Sequence, residues 1–159
     1  MRLITLLVIA LLASRDAAAG GWQMNASTCV LDSPYSQGLF IDSPSSIGFV
    51  AGATGIITLY CPISVPNGLA PTQLRLEYID TNGTGGNFVR AKFEAMDKSS
   101  GVITDIATVN SQTCGTGTSV CTTTFSYTMA QSYYFYYVEV VLSKPSASAT
   151  EEFHTARLQ

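Results

Sequence analysis

Charge is scarce in this chain. Asp, Glu, Lys and Arg together make up 12% of 159 residues, and histidine occurs once, as His154. Each shortage excludes a class of function. With 8 basic residues against 11 acidic ones, no basic stripe is available to neutralise phosphates, which argues against a nucleic-acid partner. The same shortage leaves little to hold the mature chain against an anionic membrane. One imidazole beside Glu151 and Glu152, and no G-x-S-x-G turn, argue against hydrolysis by an activated nucleophile, which needs base and nucleophile side by side. No C-x-x-C pair is present, so the spacing of a zinc site is missing. We therefore expect no enzyme, no metal and no cofactor.

A second long apolar run is also missing. The first lies at the start, where Arg2 precedes the apolar stretch Leu3 to Ala13 and the small residues Ala17-Ala18-Ala19. These are the three parts of a secretory signal. The apolar stretch is about half of the ~20 residues a spanning helix requires. Residues 1–19 are expected to be a signal peptide, and the mature chain to be secreted or displayed at the cell surface, with no membrane contact after cleavage. Cleavage removes Arg2, Arg15 and Asp16, leaving a net charge near −4.

Cysteine, in contrast, is present four times, as Cys29, Cys61, Cys114 and Cys121. In an exported chain an even count reads as disulfides. Of the three pairings, Cys114–Cys121 with Cys29–Cys61 is the most economical. CGTGTSVC is a short Gly/Thr loop that can double back, and Cys29–Cys61 would tie the start of the chain to a central strand.

Hydrophobic residues recur with period two almost throughout, the signature of half-buried strands. In QLRLEYID, Leu74, Leu76 and Tyr78 share a face; in FVRAKFEAM, Val89, Ala91, Phe93 and Ala95 do. TNGTGG between them suggests a hairpin pairing Tyr78 with Val89, which also sets Glu77 opposite Arg90. GIITLYCPI places Ile57, Leu59, Cys61 and Ile63 together, and TTTFSYTMA does the same for Phe125, Tyr127 and Met129. In VITDIATV the buried parity is ambiguous. GLFIDS, SIGFVAG and FHTARLQ are shorter strands, and no helical periodicity competes. The expected fold is all-β: a single antiparallel β-sandwich of jelly-roll or Greek-key type with two disulfides, spanning 29–159.

LRLEYIDTNG, VRAKFEAMDKSSGVI, YYFYYVEVVL and a closing F-x-x-x-R-L, Phe153 to Leu158, resemble a loose group of bacterial exported β-sandwich proteins over roughly the last two thirds of the chain. The resemblance implies fold and export, and no chemistry.

Two functions are carried forward. Residues 20–28 form either an N-terminal extension or a first strand, with Trp22, Met24, Ala26 and Thr28 on one side. As an extension it would donate a strand to the next subunit, and head-to-tail donation builds a filament. This arrangement is similar in outline to strand-donating pilin subunits. The first expectation is thus a homopolymeric extracellular filament or surface assembly. The alternative is a carbohydrate-binding jelly-roll module. It rests on the aromatic run QSYYFYYVEVVL, where Tyr134, Tyr136, Val138, Val140 and Leu142 form a core wall. The opposite set exposes Tyr133, Phe135 and Tyr137, possible glycan contacts together with Trp22.

Weaker motifs have plainer explanations. Glu77, Glu94 and Glu139 could supply a glycosidase pair, but basic neighbours read Glu77 and Glu94 as an ordinary charged face. DTNGTG echoes a calcium loop and lacks the acid at its twelfth position. Asn25 and Asn82 start N-x-S/T sequences that a host with the machinery could glycosylate.

Overall fold

The computed structural model describes residues 21–32, 40–43, 45–83 and 86–159. The proposed signal peptide and Thr84, the third position of the Asn82 sequon, lie outside the described residues. The described residues form eleven strands: β1 (Trp22–Asn25), β2 (Val30–Leu31), β3 (Phe40–Ser43), β4 (Ser46–Phe49), β5 (Gly55–Pro62), β6 (Gln73–Asp80), β7 (Phe88–Asp97), β8 (Ile103–Asn110), β9 (Gly117–Thr124), β10 (Tyr134–Lys144) and β11 (Glu151–Leu158). A 3-10 turn (Ala26–Thr28) follows β1, and one helical turn, α1 (Ser111–Cys114), follows β8. All strand pairs are antiparallel.

The strands make two sheets. One runs β3-β4-β11-β6-β9, with β1 added beside β11; the other runs β2-β5-β10-β7-β8. The inward faces interdigitate around Tyr78, Phe93, Phe153, Ile57, Leu59, Leu74, Leu76, Leu142 and Leu158, each less than 2% exposed. Every such side chain stabilises the fold by about 1.5–3 kcal/mol. This is the expected β-sandwich, and both disulfides form as expected, Cys29–Cys61 and Cys114–Cys121.

The hairpin reading of TNGTGG is corrected. β6 pairs with β11 and β9, whereas β7 pairs with β10 and β8, so the two strands lie in opposite sheets. Alternation alone could not separate the two arrangements, because strands stacked face to face across a ~10 Å core need the same inward parity as strands paired side by side. The charges were equally permissive. Glu77 meets Arg75 at 3.1 Å and Arg157 at 3.2 Å, while Arg90 meets Glu139 at 3.6 Å.

Two other strands differ in detail. The register of β7 with β8 shifts between Phe93 and Glu94. The irregularity turns Ala107 and Val109 inward and leaves Asp105 outward, which resolves the parity of VITDIATV. β9 ends at Thr124, and Phe125, Tyr127 and Met129 continue onto the core without sheet pairing. Their backbone is held instead against residues 68–72, through Gly68 N–H to Met129 O (3.0 Å), Met129 N–H to Leu69 O (2.9 Å) and Phe125 N–H to Thr72 O (2.9 Å).

The N-terminal segment is a strand of its own sheet. Trp22 pairs with Leu158, Gln23 with Arg157, Met24 with Ala156 and Asn25 with Thr155. Trp22, Met24 and Ala26 are buried in the core, and Thr28 is exposed, its hydroxyl donating to Asn25 O at 2.8 Å. Trp22 therefore belongs to the core and cannot join an exposed aromatic platform.

Candidate functional site

Period two sends alternate β10 residues outward, onto the solvent face of the second sheet. Phe135 lies opposite Met96; Tyr137 sits between Pro62 and Glu94; Glu139 sits between Tyr60 and Lys92. The Tyr60 and Tyr137 rings meet edge to face, 5.6 Å apart. Phe135 stays 55% exposed. Where β5 ends, β7 ends and β10 begins, Tyr60, Met96, Phe135 and Tyr137 line a groove of about 610 Å³ together with Ile63, Lys98 and Gln131. Phe135 and Tyr137 belong to it, whereas Tyr133, 68% exposed, lies on the turn outside its lining.

The groove's rim is held by hydrogen bonds. Ile63 N–H donates to Tyr136 O (3.0 Å) and Lys98 N–H to Tyr133 O (2.9 Å). Gln131 N–H donates to Asn67 Oδ1 at 2.8 Å, and its carboxamide donates to Val65 O. The DKSSG turn is closed by Asp97, whose Oδ1 accepts from the backbone N–H groups of Ser99 and Ser100, both at 2.8 Å. The Ser99 hydroxyl, donating to the same oxygen at 2.6 Å, and then these backbone donors hold the Asp97 carboxyl down at about 2. Gly101 takes a φ of +72° there, a left-handed conformation that favours glycine.

Beside the groove runs a charged row. Lys92 Nζ lies 2.8 Å from Asp105 and 3.9 Å from Glu94. Glu94 is 4% exposed. Burial, with Asp105 next in weight, pushes its carboxyl up to about 7, against the Tyr137 hydroxyl that lowers it. The hydroxyls of Tyr137 and Tyr60 are both raised, chiefly by burial, with Glu94 next for Tyr137 and Asp32 next for Tyr60. Both phenols thus remain hydrogen-bond donors at neutral pH.

Other sequence candidates fall elsewhere. Glu77 lies on the first sheet, flanked by Arg75 and Arg157, so it shares no face with Glu94 and Glu139. His154 Nε2 sits 3.4 Å from Glu152 on that same sheet. Asp80, first residue of the DTNGTG stretch, is fully buried and accepts from Asn82 N–H (3.0 Å) and from the Ser111 hydroxyl. Sequence reasoning missed Tyr60, Met96, Lys98 and Gln131. Tyr60 carried a signal, being an aromatic on the non-core parity of Ile57, Leu59 and Cys61. Lys98, in a turn, carried none.

No family model matches the chain, and no curated protein sequence matches it. Solved structures do. A carbohydrate-binding module CBM36 in complex with calcium and xylotriose is 10% identical, with 87% of this chain and 99% of that one covered and a TM-score of 0.47. The CBM36-1 domain of a multidomain xylanase from the hindgut metagenome of Trinervitermes trinervoides is 11% identical (87% and 96% covered, TM-score 0.46). The C-terminal CBM6 of the laminarinase LamC from Zobellia galactanivorans is also 11% identical (87% and 98% covered, TM-score 0.49).

The filament expectation is corrected by the pairing of the N-terminal segment. The strand to be donated is the one that pairs with β11 and fills its own core.

Proposed function

We propose that the chain is an exported, non-catalytic β-sandwich module that binds glycan in the groove at the start of β10. The observation carrying this reading is the cluster of Phe135, Tyr137 and Tyr60 lining a groove of about 610 Å³ on the outward face of a rigid sheet. A pyranose presents an apolar C–H face that packs on an aromatic ring, while its hydroxyls take up donors and acceptors at the rim. Phe135 offers such a ring, and Tyr60, Tyr137 and Gln131 offer polar ends. Two disulfides suit an oxidising compartment, in keeping with export.

Glycan-array screening followed by calorimetry tests this. Phe135→Ala and Tyr137→Ala are each expected to weaken binding by about tenfold or more, as removal of a central aromatic anchor does. Val120→Ala, at an exposed position on the other sheet, should leave binding unchanged. Absence of binding to every glycan tried would overturn the reading.

A further inference from the structure

The described residues include six cations: Arg75, Arg90, Lys92, Lys98, Lys144 and Arg157. Four of them meet carboxylates, Arg75 and Arg157 at Glu77, Arg90 at Glu139, and Lys92 at Asp105 and Glu94. Lys144 is buried, its ammonium 5.6 Å from the centre of the Phe49 ring. Lys98 alone among them is exposed with no carboxylate partner among the described residues. The neighbouring Asp97 is engaged by Ser99 and Ser100.

Lys98 is also the one charged side chain lining the groove among the described residues. In a chain where acids outnumber bases 11 to 8, no Asp or Glu is among the lining residues. Of the carboxylates near the groove, Glu94, Glu139 and Asp105 are met by Lys92 and Arg90, while Asp32, just after β2, acts on Tyr60. The Lys98 ammonium donates to Gln131 O and stands 4.7 Å from the centre of the Phe135 ring. One of its three donors is therefore used, and two remain. An ammonium held over an aromatic ring at an apolar groove gives its strongest interaction to an anion, since charge-assisted hydrogen bonds are about twice as strong as neutral ones.

We propose that the groove selects an anionic glycan, its acid group on Lys98 and the adjoining sugar ring against Phe135. A uronic acid carries a carboxylate on the pyranose ring itself, so both contacts can be made within one residue; a sulfate ester offers the same charge. The proposal rests on the glycan reading above and adds its ligand class.

Titration of the whole mature protein with oligogalacturonate, a sulfated galacto-oligosaccharide and a neutral xylo-oligosaccharide tests it. At low salt at least one anionic probe is expected to bind about fivefold more tightly than the neutral one, the scale of an exposed ion pair. The preference should collapse at about 0.5 M salt, where the screening length falls to a few ångströms. Lys98→Gln should abolish the preference, and Lys98→Arg should retain it. Equal or tighter binding of the neutral probe, or a preference surviving Lys98→Gln, overturns the proposal and leaves the glycan reading standing. Failure of all three probes to bind counts against both.

Discussion

Glu94 is a carboxylic acid at an outward strand position that water hardly reaches, and Glu151 is one inside the fold. Glu151 is 1% exposed and faces Asp80 in register. Burial, reinforced by Asp80 and opposed by Lys144, pushes its carboxyl up to about 8. Both groups have folded pKa values above the ordinary 4.5, so the folded chain holds protons that the unfolded chain releases. Their effect favours the fold below about pH 4.5, and stability falls as pH rises from there through about 7 and 8. Asp97 works in the opposite sense lower down. Its contribution is present above its ordinary 3.8 and is lost as pH falls towards 2. Urea unfolding at pH 5 and pH 8 should therefore show lower stability at the higher pH. Glu94→Gln and Glu151→Gln should each recover about 1–3 kcal/mol at pH 8. A profile flat between those pH values would contradict this account.

At the scale of elements, β1 shows how little free edge the N-terminal segment leaves. β11 carries β6 along one side, and its other side is shared by β1 and β4. Trp22→Ala would open a cavity in the core and is expected to cost about 3–5 kcal/mol. Deletion of residues 20–28 should destabilise the monomer further without abolishing any filament, because sedimentation of the intact mature chain is expected to show a single species of monomer mass. Growth in mass with concentration would reverse that conclusion. β10 was readable in advance because its two faces differ in composition: Tyr136, Val138, Val140 and Leu142 are buried, and Phe135 is exposed. Val141, on the outward set, is nonetheless buried, since Thr58 and Arg90 flank it in register. Such cover depends on neighbours distant in the chain.

For the molecule as a whole, the Cys29–Cys61 bridge acts where the chain passes from one sheet to the other. It ties the segment between β1 and β2 to β5. Replacing both cysteines by alanine frees a long loop in the unfolded chain and is expected to lower stability by about 3–4 kcal/mol. Melting with and without reductant would measure it, and an unchanged melting temperature would show that packing alone holds the crossing. The strands β5, β6, β7 and β10 with their inward parity, and the economical disulfide pairing, followed from the sequence by itself, because alternation and cysteine count are local properties of the chain. β9 did not, since Gly117–Thr124 begins within the CGTGTSVC stretch expected to be a loop and stops short of Phe125. Sheet membership was decided only in three dimensions. The same alternating pattern satisfies a paired neighbour and a facing one, so β6 and β7 could be assigned to opposite sheets only by the packing of the complete core. The groove was decided there too. Tyr60, Met96, Lys98, Gln131 and Phe135 come from separate parts of the chain, and only the register of β5, β7 and β10 brings them together.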